Sequence, residues 1–306
     1  MESIRIATRS SPLAVWQARH VAERLEAAHD GLSCELVEMT TEGDRFLAAP
    51  LSEIGGKGLF IKELEQAMLD GRADIAVHSM KDLTVELPPG FALPAILARG
   101  NPLDAVVSNR YADLADLPMG ARVGSSSLRR RCQLGAMRPD LAVSPIRGNV
   151  QTRLGKLDAQ DFDALILACA GLERLGLGER VRESLPADTM LPAIGQGALG
   201  VECREEDQRV LGLLAALDDG DAHQCVGAER ALNRVLAGGC HAPVAGFATL
   251  DGPLIELRAL VGSLDGSTII NASVSGPREQ WNELGEQAAN VLIEQGAFEL
   301  LADAMK

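Results

Sequence analysis

The sequence predicts an α/β protein with two similar doubly wound lobes and a small C-terminal α+β domain that contains an antiparallel three-stranded sheet. Three observations support this fold class. Strand-like and helix-like segments alternate from the first residues onward, which is typical of parallel sheets covered by helices. The alternation restarts near residue 103, which indicates a second unit of the same kind. From about Asp219 the pattern changes to a helix, three strand-like stretches and a final helix.

The first unit opens with a strand over residues 3–7. Ser11 and Pro12 then provide a capping residue and a first-turn proline for a helix that runs to about residue 29. The elements that we expect next are a strand over 34–39, an amphipathic helix over 59–69 and a short buried strand over 74–78. Residues 40–56, between the strand over 34–39 and the helix over 59–69, lack clear periodicity, and the length of this segment indicates a lid.

The second unit and the C-terminal domain follow the same reasoning. In the second unit we expect strands over 105–108, 121–124, 142–146 and 164–167, with helices over 127–137 and 149–157. In the C-terminal domain we expect a helix over 222–236, strands over 244–250, 254–261 and 268–274, and a helix over 277–295. Asp-Gly pairs at 251–252 and 265–266 favour hairpins between these strands, so this sheet is expected to be antiparallel.

Composition excludes several classes of function. The 306 residues carry a formal net charge of −14, which argues against a general nucleic-acid binder. The longest apolar runs, such as residues 164–170, are too short to cross a bilayer. The first residues enter a strand pattern without a signal peptide, so we expect a cytoplasmic protein. Six scattered cysteines without metal-ligand spacing indicate reduced thiols and no metal site.

An arginine-rich stretch interrupts this acidic chain. Residues 122–156 contain eight basic residues, seven of them arginine, and one acidic residue, Asp140. Arginine is suited to bidentate contact with carboxylates and phosphates. A solvated basic face is the simpler interpretation of a charge run. Here, however, the arginines lie beside glycine- and serine-rich turns at predicted strand ends, which favours a site for a small ligand with several negative charges.

Three turns have the strand-to-helix form that seats anions on free backbone N–H groups. They are residues 125–130, with three serines before the arginines, residues 146–149 (Ile-Arg-Gly-Asn), and residues 8–11 (Thr-Arg-Ser-Ser). Simple helix capping needs one serine, and the first of these turns has three.

Two further motifs could carry chemistry. Residues 78–82 follow a buried strand, which places Asp82 at its carboxyl end as a general acid/base or as a partner for a cationic intermediate. A solvated turn is the alternative for Asp82, and His78 is expected to be packed or hydrogen-bonded. Cys240 lies between two glycines and His241-Ala242-Pro243, a setting compatible with exposure, although a buried structural cysteine is the commoner outcome.

Together these motifs resemble the porphobilinogen deaminase (hydroxymethylbilane synthase) family over essentially the whole chain. The matching segments occur in order at residues 8–14, 55–60, 78–82, 124–130, 146–149, 195–198 and 239–240. The resemblance implies two lobes like those of anion-binding periplasmic-type proteins. It also implies three domains: residues 1–98 with 198–217, residues 99–197, and residues 218–306.

The resemblance further implies a transferase of tetrapyrrole and heme biosynthesis. Four porphobilinogen molecules are condensed head to tail with loss of ammonia, and water releases hydroxymethylbilane. The chain grows on a dipyrromethane cofactor that Cys240 carries through a thioether. Asp82 is implied as the catalytic carboxylate, which assists departure of the amine and stabilises the cation-like azafulvene that remains.

By the same match, further residues take binding roles. Residues implied to bind the cofactor, besides Cys240, are Lys81, Asp82, Ser127, Arg129, Arg130 and Gln196. Residues implied to bind substrate are Arg9, Phe60, Arg147, Arg153 and Arg174. Lys57 lies on the expected lid. Because each porphobilinogen brings an acetate and a propionate, the growing chain accumulates carboxylates, which explains the many arginines.

Two other functions remain open at this point. One is a non-catalytic anion-binding protein on the same two-lobed scaffold, because a fold does not determine function. The other is a cysteine-nucleophile acyl transferase, which requires a base near Cys240. The expected partners are porphobilinogen and the next tetrapyrrole enzyme, which receives the product. No nucleic acid, membrane or metal is expected, and the protein is expected to be a monomer.

Overall fold

The structure is a computed structural model that describes residues 2–41, 61–237 and 242–304. Lys57, Phe60 and Cys240 therefore lie outside the described residues, as does most of the predicted lid.

The described residues form thirteen strands and nine α-helices. The strands are β1 (Glu2–Arg9), β2 (Leu32–Met39), β3 (Ile75–Ser79), β4 (Phe91–Ile96), β5 (Asp104–Val107), β6 (Arg122–Gly124), β7 (Ala142–Ser144), β8 (Ala164–Ala168), β9 (Val181–Leu185), β10 (Leu199–Arg204), β11 (Val244–Asp251), β12 (Leu254–Gly262) and β13 (Ile269–Pro277). The helices are α1 (Pro12–Ala28), α2 (Lys62–Leu69), α3 (Leu128–Met137), α4 (Val150–Asp158), α5 (Cys169–Arg174), α6 (Gln208–Leu214), α7 (Gly220–Leu236), α8 (Trp281–Glu294) and α9 (Ala297–Ala304).

The chain forms two compact units. Unit 1 comprises Met1–Arg99 and Ala198–His223, and unit 2 comprises Gly100–Gly197 and Gln224–Lys306. Unit 2 contains both the second doubly wound sheet and the three-stranded sheet. The further division of unit 2 into domains at residues 99–197 and 218–306 stays a prediction.

Unit 1 is built on a five-stranded sheet in the order β2-β1-β3-β10-β4. Strand β1 is parallel to β2 and β3, whereas β10 is antiparallel to both of its neighbours. Both faces of the sheet are apolar and covered. Ile4 and Ile6 lie in one cluster with Leu25 of α1, and Ala7 lies in another with Leu64 of α2. Alternation along β1 therefore places a helix on each face, as a doubly wound sheet requires.

The first sheet of unit 2 has the order β7-β6-β8-β5-β9, with β5 antiparallel to β8 and β9. Val106 and Leu134 of α3 lie in one cluster, and Val107 and Leu154 of α4 lie in another. The strand directions of this sheet match those of the unit 1 sheet at every position, since in each sheet the fourth strand is antiparallel to the other four. In unit 1 that strand is the last in the chain, and in unit 2 it is the first.

The three-stranded antiparallel sheet has the order β11-β12-β13. Its core joins Leu232 of α7 and Leu292 of α8 to Leu257 of β12. Two glycines bring α3 against this sheet: a methyl group on Gly135 would overlap the backbone of Asp265, and one on Gly266 would overlap the backbone of α3. Gly266 also has a φ of +75°, which side chains adopt rarely.

The predicted fold class is confirmed, and the differences concern particular strands and the C-terminal helices. Strands β4, β9 and β10 were not predicted from the alternation. Each of the two five-stranded sheets contains one antiparallel strand, whereas parallel sheets were expected. The predicted strand over 142–146 ends at Ser144, because Ile146 turns away to contact Ser126. The predicted final helix over 277–295 corresponds to α8, which begins at Trp281 after a 3₁₀ turn at Arg278–Gln280, and α9, which was not predicted, follows it.

Candidate active site

In unit 1 the predicted site residues lie at the carboxyl ends of two neighbouring parallel strands. Arg9 ends β1, and Lys81 and Asp82 lie in a 3₁₀ turn, Met80–Asp82, that follows β3. Parallel strands end at one edge of a sheet, so these two strands bring the three residues to the same edge. Asp82 is exposed, and Lys81 and Arg9 are partly buried.

The turn that carries Asp82 is anchored from both sides. Met80 is 1% exposed, and its N–H donates to the carbonyl of Ala198 at 3.0 Å. Just before the turn, the Ser79 hydroxyl accepts a hydrogen bond of 2.8 Å from the buried amide Nε2 of Gln17 on α1. Because Met80 and Leu83, which flank Lys81 and Asp82, are both buried, the turn presents Lys81 and Asp82 from a fixed base.

His78 and Glu202 form a buried pair behind this turn. His78 Nε2 lies 2.7 Å from Glu202 Oε2, and the two side chains are 6% and 0% exposed. His78 is thus hydrogen-bonded and packed, as the sequence predicted. The pair lies on the sheet face that α2 covers. Glu65 of α2 interacts with it electrostatically: burial raises the pKa of the Glu65 carboxyl, and the charge of Glu202 raises this pKa further.

In unit 2 the predicted site residues also collect at one sheet edge. Ser127, Arg129 and Arg130 follow β6, Arg147 follows β7, and Arg174 ends the helix after β8. Strand β6 is parallel to both β7 and β8, so the three carboxyl ends lie side by side.

The serines of residues 125–127 are engaged within the fold. Ser127 is the N-cap of α3, and its hydroxyl accepts from the N–H of Arg130 at 3.4 Å. The Ser126 hydroxyl donates to the carbonyl of Ile146 at 2.6 Å and accepts from its N–H at 3.0 Å. These hydroxyls hold the loop after β6 against the loop after β7, which positions the turn of Arg147.

The turn at Arg147 depends on three local features. Gly148 has a φ of +107°, which favours glycine, and Asn149 caps α4 by accepting from the N–H of Thr152 at 2.9 Å. One turn later, Arg153 Nε donates to the carbonyl of Gly148 at 2.8 Å. Arg147 and Arg153 are both half-buried.

Arg174 lies where the chain enters and leaves unit 2. Its Nη2 donates to the carbonyl of Gly197 at 2.6 Å, and the same carbonyl accepts from the N–H of Gly100 at 3.1 Å. Burial lowers the pKa of the Arg174 guanidinium.

Arg129 and Arg130 are more deeply buried than the sequence indicated, with exposures of 3% and 6%. Both donate to Asp104, a fully buried carboxylate that sequence reasoning missed. Burial alone raises the pKa of a carboxyl group, but the two guanidinium groups outweigh it and hold the pKa of Asp104 well below its usual range. Gln196, also buried, donates its amide Nε2 to the same carboxylate at 3.1 Å.

Within the described ranges, no group of three or more histidine, cysteine, aspartate or glutamate side chains has metal-binding geometry. Over the same ranges, no helix combines the length and the apolar character needed to cross a membrane.

Two family models match the sequence. Residues 4–212 match the model described as "Porphobilinogen deaminase, dipyromethane cofactor binding domain". Residues 223–294 match "Porphobilinogen deaminase, C-terminal domain".

Three solved structures are similar to this chain at low identity. A nutrient binding protein from Burkholderia cenocepacia bound to methionine is 14% identical with a TM-score of 0.43, over 69% of this chain and 89% of that one. A TRAP periplasmic solute binding protein from Desulfovibrio salexigens is 14% identical with a TM-score of 0.42, over 71% and 72%. The BvgS VFT2 domain from Bordetella pertussis is 15% identical with a TM-score of 0.41, over 70% and 86%.

The site residues fit a cofactor of the kind that the first family model names. Two buried guanidinium groups share one carboxylate, so their positive charge exceeds its negative charge, and a pyrrole cofactor with carboxylate side chains supplies negative charge. Since the two family models match almost all of the sequence, the chain belongs to the porphobilinogen deaminase family: it is a transferase that binds a dipyrromethane cofactor and makes hydroxymethylbilane from porphobilinogen.

Proposed function

We propose that Asp82 is the catalytic residue of this porphobilinogen deaminase and that Cys240 carries its cofactor. The position of Asp82 supports the first part. It follows β3 in a turn anchored by buried Met80, at the sheet edge where Arg9 also ends its strand. An exposed carboxylate there can hold a proton for the amine that leaves porphobilinogen and can accept hydrogen bonds from pyrrole N–H groups.

We propose that the cationic side chains bind the carboxylates of cofactor and substrate. When bound, dipyrromethane supplies the pyrrole carbon to which the first substrate is joined. Lys81, Ser127, Arg129, Arg130 and Gln196 would contact the cofactor. Arg9, Arg147, Arg153 and Arg174 would hold acetate and propionate groups of the substrate. Phe60 and Lys57 keep their predicted roles at the pyrrole chain and on the lid.

The half-buried arginines suit this role because their surroundings fix the side chain while the guanidinium stays charged. Arg153 illustrates this, because its Nε donates to the Gly148 carbonyl and this contact fixes the side chain one turn after Arg147. Arg147 lies on the turn that the same contact closes. One short segment thus provides two cations at the end of β7.

Intact-mass measurement of the purified protein tests the attachment of the cofactor. We expect an added mass equal to two linked pyrrole units in the wild type and none in Cys240→Ser. Cys34→Ser is the matched control, since Cys34 is a partly exposed cysteine on β2 of unit 1. The control should retain the added mass. An active wild-type protein without added mass would contradict the proposal.

We further propose that the protein is a cytoplasmic monomer of heme biosynthesis and that it passes hydroxymethylbilane to the next tetrapyrrole enzyme. The resemblance of the whole chain to its family supports this. Light scattering coupled to size-exclusion chromatography tests the monomer: a mass near 32.4 kDa is expected, and twice that mass would contradict it.

A further inference from the structure

Asp104 is the centre of a buried hydrogen-bond cluster in unit 2. Its Oδ1 accepts from Arg130 Nε at 2.9 Å, from Arg130 Nη2 at 2.6 Å and from Gln196 Nε2 at 3.1 Å. Its Oδ2 accepts from Arg129 Nη1 at 2.7 Å. Asp104 is 0% exposed, so four hydrogen bonds replace the water that this carboxylate would otherwise bind.

The two arginines are used differently. All three side-chain nitrogens of Arg130 donate to the protein, because Nη1 reaches the carbonyl of Ile166 at 2.8 Å. Arg129 shares its Nη1 between Asp104 and the carbonyl of Leu191, 2.8 Å away. Its buried Nε has no hydrogen-bond partner within the described residues. Asp104 therefore binds Arg130 through two nitrogens, Nε and Nη2, and binds Arg129 through Nη1 alone.

The charges of this cluster do not cancel. Two guanidinium groups and one carboxylate leave one positive charge in excess. Within the described part of the chain, no second carboxylate is hydrogen-bonded to either arginine. A buried charge without a counter-charge is costly, and a ligand carboxylate would remove that cost. Without Asp104 the excess would double, and the two guanidinium groups would repel each other.

We propose that Asp104 is the positioning residue of the cofactor site: it orients Arg129 and Arg130 so that their shared excess charge takes one carboxylate of the dipyrromethane. This inference rests on the proposed function, in which these arginines bind the cofactor. Asp104 acts through the arginines and does not itself touch the ligand. Its place supports this, since β5 runs antiparallel and brings its first residue to the edge where β6 and β8 end.

A purely structural role for Asp104 makes a different prediction. A structural brace stabilises the protein equally with and without cofactor. A positioning residue, in contrast, also increases the stability that is gained when the cofactor is loaded, since binding to the folded state stabilises it. The difference in melting temperature between loaded and unloaded protein therefore separates the two roles.

The experiment compares four proteins: the wild type, Asp104→Asn, Cys240→Ser and the double variant. Intact mass gives the loaded fraction of each, and thermal unfolding gives the melting temperature. We expect a clear gain on loading in the wild-type background. In the Asp104→Asn background we expect at least a tenfold smaller loaded fraction, or a gain that is at least halved. Full loading with an unchanged gain would overturn the proposal, and so would a wild type that gains nothing.

Asp163→Asn is the matched control. Asp163 pairs with Arg122 on β6 of the same sheet, with Oδ2 3.4 Å from Nε, and this arginine is largely exposed. The control removes one Asp–Arg pair of the same unit and should leave both the loaded fraction and the gain unchanged. A loss in the control equal to that in Asp104→Asn would overturn the proposal.

A second variant covers the case in which Asp104→Asn fails to fold. Asp104→Asn combined with Arg130→Gln removes one charge of each sign and restores the original excess. We expect this protein to fold and still to load poorly, because Arg129 is no longer oriented. Loading at the wild-type level would overturn the proposal. If Cys240→Ser keeps the added mass, the attachment site in the proposed function fails, and the loaded fraction of the Asp104 variants alone decides this inference.

Discussion

His78 and Glu202 join the central strand of the unit 1 sheet to its neighbour, with Nε2 and Oε2 2.7 Å apart and both side chains buried. They lie on neighbouring antiparallel strands, β3 and β10, and His78 comes four residues before Asp82 in the chain. The strand that supports Asp82 is thus tied to the segment that returns from unit 2, through a polar contact inside an apolar face.

Glu202→Ala should lower the free energy of unfolding by about 3 kcal/mol, because removal of one partner leaves the other polar group buried and unsatisfied. Urea unfolding measures this change. Glu206→Ala, at an exposed position in the turn that follows β10, is the control and should stay within about 0.5 kcal/mol of the wild type. Equal stability of the two variants would contradict a supporting role for the pair.

Asp82→Asn should retain the cofactor and nearly abolish turnover, since the amide keeps the size of the side chain but cannot hold the transferable proton. Intact mass reports the cofactor, and release of hydroxymethylbilane reports turnover. Glu86→Gln changes an exposed carboxylate just beyond the turn and should leave both unchanged. Turnover of Asp82→Asn near that of this control would count against the catalytic role.

Asp74→Asn should weaken the acid sensitivity of the fold. Burial favours the neutral form of Asp74, but hydrogen bonds from Arg5 outweigh it and lower the pKa of this carboxyl below its usual value of 3.8. A lowered folded-state pKa contributes stability above the unfolded-state pKa, and this contribution disappears as the pH falls through the folded-state value.

As the pH is lowered below about 4, the urea concentration at the unfolding midpoint of the wild type should therefore decrease, and that of Asp74→Asn should decrease less steeply over the same pH range. Asp161→Asn, at an exposed carboxylate, serves as the control and should follow the wild type. Identical slopes for the wild type and Asp74→Asn would show that this pair is not a source of acid sensitivity.

Gly135→Ala should destabilise unit 2 by roughly 1–3 kcal/mol, because the new methyl group meets the backbone of Asp265, which cannot move as a side chain can. Gly155→Ala is a matched change inside helix α4, where nothing lies within 4 Å of the added carbon. It should instead stabilise the protein by about 0.5–1 kcal/mol, because alanine favours helices over glycine. Thermal unfolding of both variants checks the contrast.

Much of the fold could be predicted from local patterns. The cap at Ser11 marked the start of α1 correctly, and the apolar runs of β3 and β8 were recognisable as buried strands. Strands β4 and β9 were missed because polar or partly exposed residues interrupt their apolar runs. The direction of β5 and β10 could not be predicted, since it depends on how the chain crosses between the units.

The same limit explains why Asp104 was missed. In parallel sheets, site residues are sought after a strand, whereas Asp104 is the first residue of one. Because β5 is antiparallel, its beginning lies where the other strands end. The available signal was a single acidic residue directly before a fully apolar run, Ala105 to Val107. The arginines were identified from their density, but the carboxylate that orders them becomes visible only through the topology.

The two matching sheets also have a consequence for the order in which the protein forms during synthesis. The first sheet of unit 2 comes from one uninterrupted stretch of chain, so all its strands are available once β9 has left the ribosome. The sheet of unit 1 lacks an inner strand until β10 is made, and its edge strand β4 has no partner before then. We therefore expect the N-terminal lobe to reach its native state after the lobe that follows it. In a nascent chain that ends before residue 199, the sheet of unit 1 should remain incomplete.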